Sequence, residues 1–469
     1  MTDTAPLTIL WFRRDLRLSD HAALTAAAER GPVLPVFVLD PIFENLGAAA
    51  KMRLLLSLRA LSQDLEARGM RLILRRGAAW PILQDLAAES GADSLFWSRA
   101  YDPVSVTRDT EVKSAAKEAG LRAQSFTGAL LFEPWSVETG QGGPYRVYTP
   151  FWKAVRHRDV PPCLAEPEIS GPALWPKSDD LEAWALGSSM HSGFEVVAGH
   201  VQAGETDTQA KLACFLDTRV NGYKAKRDFL NEAATSDLSD ALTYGEISPA
   251  QMWHGGQQRM QEGAAGAEHF LKEVVWREFA WHLLWHYPEM DRENWREDWS
   301  QFHWHENASD PFFVAWCQGR TGVPVVDAAM RELYVTGKMH NRARMIVASY
   351  LTKHLRLHWR LGLEWFADCL VDWDPASNAL GWQWVAGCGP DAAPYFRIFN
   401  PDTQAEKFDA DSAYRTYWLD PQSAGAQAFM QAVPRSWIAV FETPVQAPIV
   451  ALKAGREAAL KAYEDFKSQ

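Results

Sequence analysis

The chain has 469 residues, a length that predicts two or three domains rather than one enlarged core. Apolar residues make up 47% and charged residues 23%, an ordinary globular balance that excludes long disordered tails. The net charge of −12 excludes indiscriminate adhesion to nucleic acid, because phosphate is neutralised by Lys and Arg; it leaves room for one local basic groove.

The first third alternates short apolar runs with helical patterns. Candidate strands are 7–12, 33–39, 71–75, 94–97 and 122–126, separated by helical spacing at 51–66, 82–89 and 109–118. Strands that alternate with helices predict a doubly wound parallel sheet of five strands. The run into Arg13 and Arg14 reads as a buried strand and its turn, not as a signal peptide. That turn holds no glycine, so the dinucleotide fingerprint fails here. From about 156 to 203 the pattern dissolves into prolines with scattered Gly and Ser, a linker composition. Beyond it, helical spacing recurs at 208–216, 267–285, 325–336, 341–355, 363–370 and 450–466. The expected organisation is an α/β domain over 1–132, a linker over 133–203 and an all-α domain over 204–469, with no appended tail.

No apolar run reaches the ~20 residues that span a bilayer. The five cysteines are scattered, with no C-x-x-C pair and no His at zinc spacing, so no metal site is expected. A soluble, cytoplasmic monomer is the expectation. The 22 Trp suit packing around something flat, such as bases or a tricyclic cofactor, or a tryptophan-rich core.

Four clusters can carry chemistry. At 339–345, Asn341, Arg344 and Met345 share one helical face while Arg342 points roughly 100° away; a ligand face and a solvated helix start both fit. Asp372 and Asp374 stand two apart, close to Asn378, Trp382 and Trp384. With nothing to complete a metal or acid–base set, they read as partners for a ligand or for Arg344. Thr235, Ser236 and Ser239, around Leu238, can cradle phosphate or cap a helix. Glu273, Trp276 and Arg277 lie at i, i+3 and i+4, suited to a flat hydrogen-bonding ligand such as a pyrimidine, or to an exposed Glu273–Arg277 ion pair.

The strings WFRRDLR (11–17), TGVPVVDAAMR (321–331), MHNRARM (339–345), GWQW (381–384) and AAPYFRIFNP (392–401) together resemble the photolyase/cryptochrome family over essentially the whole chain. The resemblance implies FAD folded inside the helical domain. Tyr223, Thr235, Ser236, Leu238 and Ser239 would line its phosphate and ribityl side, and Arg277 and Asn341 would flank it. Arg344 would pair with Asp372 near the ring, Asp374 would touch the flavin, and Asn378 would face N5, where plant cryptochromes carry Asp. Glu273, Trp276, Asn341, Met345 and Trp384 match the pocket for a flipped-out cyclobutane pyrimidine dimer, with Arg227 and Arg342 near the DNA backbone. Excited, reduced FAD would donate an electron to the dimer and recover it after both cyclobutane bonds break.

Trp382, Trp359 and Trp304 resemble the chain that photoreduces oxidised flavin, with Trp316 as the other candidate end. The implied function is a deoxyribodipyrimidine photolyase; a cryptochrome-type receptor, a (6-4) photolyase and a plain electron-transfer flavoprotein are the rivals. Asp237 and the Asp240-Ala241-Leu242 run depart from the family pattern at the phosphate side. Val104, Ser105 and the absence of His from 41–52 depart from the pattern of folate-binding relatives. The site for a second, antenna chromophore could therefore hold deazaflavin, another flavin or folate held differently, or be empty.

Overall fold

The computed structural model describes residues 6–392, 394–441, 445 and 447–468; Ala393 of the AAPYFRIFNP string lies outside them. Five parallel strands, β1 (Thr8–Phe12), β2 (Val33–Leu39), β3 (Ile73–Arg76), β4 (Ser94–Ser98) and β5 (Arg122–Phe126), form one sheet in the order β3-β2-β1-β4-β5. β1, β2 and β4 are buried throughout, as expected where helices cover both faces. β5, with the polar sequence RAQSF, is the half-exposed edge. β3 starts two residues later than its sequence suggests, because Arg71 is exposed and stays outside the ladder.

Helices start earlier than apolar periodicity alone predicts, where caps set the boundary. The expected 109–118 helix is Pro103–Glu118, with Asp102 accepting from the Ser105 N–H and Pro103 in the first turn. The expected 341–355 helix is α-helical only over Asn341–Ser349, then passes into one π turn at Tyr350–His354. The 133–203 stretch is not bare coil. It carries short helices at Tyr148–Val155 and Gly193–Ala198. It also straps the sheet, the Ser178 hydroxyl and the Asp179 N–H pairing with the Leu74 backbone. The C-terminal half is helical, with Ala267–His286, Pro324–Thr336, Asn341–Ser349, Trp359–Cys369, Pro375–Ala386 and Leu452–Lys467 around a tryptophan-rich core. No described helix is long and apolar enough to cross a membrane.

Arg53, on helix Ala48–Glu66, is fully buried and reaches across to the helical half. Its two terminal nitrogens donate to Glu246 at 2.8 and 2.6 Å and its Nε to Asp240 at 3.1 Å. Arg53→Ala would leave the buried Glu246 without a cation and Asp240 with Lys338 alone, at about 3–5 kcal/mol. The expected outcome is a lower thermal midpoint and weaker retention of flavin, read by calorimetry and absorbance.

Candidate cofactor and substrate site

Helix Pro375–Ala386 carries three of the predicted residues and packs against both Ala267–His286 and Asn341–Ser349. It begins at Asp374, whose Oδ1 accepts from the Ser377 N–H at 2.7 Å and whose Oδ2 accepts from Trp281 Nε1 at 2.9 Å. That carboxylate is therefore a helix cap, and a flavin contact made through it would share its oxygens with two protein donors. Asp372 has a different task. Both its oxygens accept from Arg344 Nη2, at 3.0 and 2.8 Å, and Arg344 Nε donates to the Met339 carbonyl. The two carboxylates are thus held apart by separate partners, and among the described residues no group of His, Cys, Asp or Glu is arranged to hold a metal.

Asn378 donates its amide to the Leu363 carbonyl at 3.1 Å. Among the described residues no donor reaches its Oδ1. It borders a cavity of about 610 Å³ between the halves, whose wall includes Arg277, Trp373, Arg14, Asn45 and Tyr101.

On the phosphate side, helix Ser239–Tyr244 starts at Leu238 without a side-chain cap, so the hydroxyls of Thr235, Ser236 and Ser239 do not perform the capping role that such clusters commonly have. Asp237 adopts φ 54° and pairs with Lys211 at 3.2 Å and Lys338 at 2.8 Å; its negative charge is matched on the spot. Thr243, one turn on, donates to the Asp372 carbonyl at 3.2 Å, which ties this helix to the Arg344–Asp372 pair. Tyr223 is buried nearby against Phe215 and Phe270.

The Glu273–Arg277 ion pair that spacing allows does not form. Arg277 turns to the Ala129 carbonyl at 2.9 Å, and Glu273 pairs with Arg227 instead. Trp276 lies flat against Tyr148, ring centroids 3.7 Å apart and planes 7° from parallel. Sequence reasoning missed Tyr148, which the aromatic density of Tyr145, Tyr148, Phe151 and Trp152 could have signalled. Tyr148 is held by its hydroxyl donating to the Lys272 carbonyl at 2.7 Å, so one face of Trp276 is backed. Met345 and Trp384 are half-buried and Asn341 is exposed.

Trp382, Trp359 and Trp304 are all buried. Trp382 rests on Gly362, where an added Cβ would come within 2.0 Å of its ring. His358 stands between Trp359 and Trp304, with ring centroids 5.4 and 5.1 Å away. Trp316 is also buried and meets Trp382 edge-on at 6.2 Å, so both candidate ends join the same cluster.

An uncapped helix start with three hydroxyls, a half-buried arginine on a buried aspartate and an open amide oxygen fit a group that joins pyrophosphate to a flat hydrogen-bonding ring, the chemistry of FAD. Residues 8–168 match the family described as DNA photolyase, and residues 270–465 the FAD binding domain of DNA photolyase. The deoxyribodipyrimidine photo-lyase of Agrobacterium fabrum is 45% identical over 99% of this chain and 98% of its own length. The crystal structure of a class III photolyase from Agrobacterium tumefaciens superposes with a TM-score of 0.90 at 43% identity, covering 100% of this chain and 99% of that one. The archaeal photolyase from Sulfolobus tokodaii, described with two FAD molecules, gives 0.79 at 28% identity, covering 98% and 100%. An α/β domain joined to a helical FAD-binding half defines a class of flavoproteins. This chain belongs to the photolyase/cryptochrome family.

Two outcomes are expected. Trp382→Phe slows photoreduction of the oxidised flavin, followed by absorbance, while flavin stays bound; an unchanged rate removes Trp382 from the route. Glu278, beside Arg277, accepts from the Leu131 and Phe132 N–H groups, and burial pushes its carboxyl up to about 7 against the pull of Arg277. A raised carboxyl pKa destabilises the fold as pH rises from the ordinary carboxylate range through 7. Glu278→Gln therefore raises stability near pH 8 by at most about 3 kcal/mol, read as a higher thermal midpoint, and the difference from the parent shrinks toward pH 4.5.

Proposed function

We propose that this protein splits cyclobutane pyrimidine dimers in DNA by light-driven electron transfer from reduced FAD. The observation that carries the reading is the set on three packed helices: the Glu273 carboxylate and the backed Trp276 on one, Asn341 and Met345 on the second, Trp384 on the third. A carboxylate beside aromatic and thioether surfaces suits an extruded pyrimidine pair, whose polar edges need hydrogen bonds and whose faces need stacking. The near-identity in length and 45% identity to a deoxyribodipyrimidine photo-lyase support the same substrate.

The chain's own residues divide the work. Thr235, Ser236, Leu238, Ser239 and Tyr223 hold the phosphate and ribityl side of FAD, while Arg344 and Asp372 fix one edge of its ring and Asn378 offers a neutral acceptor. Arg277 and Asn341 flank the cofactor. Bound and reduced, FAD supplies on illumination the electron that opens the dimer and takes it back afterwards. Trp382, Trp359 and Trp304 restore the reduced form from outside. Arg227 and Arg342 contact the DNA backbone. The sheet-side end of the cavity, near Tyr101 and Asn45, is the place we assign to a second chromophore, with deazaflavin, flavin and folate as candidates.

The test is blue-light repair of an oligonucleotide carrying one thymine dimer by the reduced holoprotein. Restoration of the two thymines under light and not in darkness is expected. No restoration with reduced FAD bound would overturn the repair reading and favour a receptor.

A further inference from the structure

Neither arginine assigned to the DNA backbone is free in the folded chain. Arg342 Nη2 lies 2.9 Å from Asp228 Oδ2, and its guanidinium sits 4.4 Å above the Phe408 ring. Arg227 forms an ion pair with Glu273, its guanidinium 5.1 Å from the Tyr223 ring centroid. The arginine side chains are only 17% and 11% exposed, and their carboxylate partners 38% and 32%. Arg227 and Asp228 are neighbours just past helix Tyr223–Lys226, so one turn supplies an arginine to Glu273 and a carboxylate to Arg342. The turn is itself tied down, the Leu230 N–H donating to the Phe408 carbonyl at 3.0 Å.

We infer that Asp228 and Glu273 are placeholders for DNA phosphates, holding Arg342 and Arg227 until DNA displaces them, and that Glu273 makes its exchange selective for damaged DNA. The inference rests on the placement of the two arginines under the proposed function. Exchanging a carboxylate for a phosphate on a guanidinium gains little, and the displaced carboxylate then faces the phosphates. Undamaged duplex therefore gains almost nothing from either arginine. An extruded dimer differs because it offers Glu273 hydrogen-bond donors, and Glu273 can leave Arg227 without remaining unpaired. Asp228 gains no such partner, so it weakens all DNA by the same amount, and Glu273 discriminates. In a chain of net charge −12 the arrangement suppresses binding to the great excess of intact sites.

The experiment compares FAD-loaded protein in the dark, by fluorescence anisotropy, on an intact duplex and on the same duplex with one thymine dimer. Asp228→Asn is expected to tighten both by about two- to fivefold, the scale of one part-exposed ion pair, with the flavin spectrum and the melting temperature unchanged. The gain disappears when Arg342 is already Gln, because the released arginine is what binds. Glu273→Gln tightens the intact duplex and loosens the damaged one, so the ratio collapses. A gain from Asp228→Asn that persists in the Arg342→Gln background means plain charge repulsion and overturns the inference. So does unchanged or weaker DNA binding in Asp228→Asn, which marks a brace for the turn. A parent protein with no preference for the dimer overturns the proposed function instead.

Discussion

A guanidinium with no access to water, that of Arg53, fixes the helix that borders the proposed cofactor site. Its partners are Asp240 in the first turn of helix Ser239–Tyr244 and Glu246 just past its end, and that helix carries Thr243 to the Asp372 carbonyl and presents Ser239 at its start. The same short helix is plugged into the α/β half at further points. Tyr244 donates its hydroxyl to the Ala50 carbonyl at 2.6 Å and accepts from the Leu16 N–H at 3.0 Å. Gly245 follows at φ 67°, where a Cβ would lie 2.3 Å from the Arg14 carbonyl oxygen, so only glycine fits. The helical half thus does not shape this turn alone.

Burying two carboxylates against one guanidinium leaves a charge to be matched. Lys338 supplies it, with Nζ 3.4 Å from Asp240 and 2.8 Å from Asp237, and Lys211 closes the series on Asp237. From Glu246 through Arg53, Asp240, Lys338 and Asp237 to Lys211 the signs alternate. The acidic Asp237, a departure from the family pattern, is therefore the fifth member of a balanced chain and not an unmatched charge facing a pyrophosphate.

The sheet was legible because β1, β2 and β4 are buried on both faces and read as unbroken apolar runs. The helical half was legible by period, and its motif strings pointed to the residues around Asp372 and Asn378. What the sequence hid were choices of partner. Glu273 has Arg277 four residues away in the favourable spacing, yet takes Arg227 from the turn after helix Tyr223–Lys226, because Arg277 finds the Ala129 carbonyl. Asp374 looked like one of a functional carboxylate pair; the Pro375 that follows it is the mark of a helix start, and its oxygens accept from Ser377 and Trp281. Tyr148 backs Trp276 from 128 positions away in the chain, a pairing that no local period encodes.

The tryptophans illustrate how packing and electrostatics combine along the proposed electron route. An oxidised indole carries positive charge, which an acceptor on its N–H stabilises. Trp382 Nε1 is buried with no such acceptor among the described residues. Trp359 donates to Asn294 Oδ1 at 2.8 Å and Trp304 to the Thr352 carbonyl at 3.1 Å. On the proposed route positive charge would be least stabilised at Trp382 and better stabilised at Trp359 and Trp304, a gradient that would direct it away from the flavin. His358, between those two, is held down to about 4 by burial; a neutral imidazole adds no charge to oppose the transfer. Trp316 also has an acceptor, the Val347 carbonyl at 3.2 Å, so the same gradient leads from Trp382 into either branch. The identity of the branch is then set by what lies beyond each indole, not by the first step.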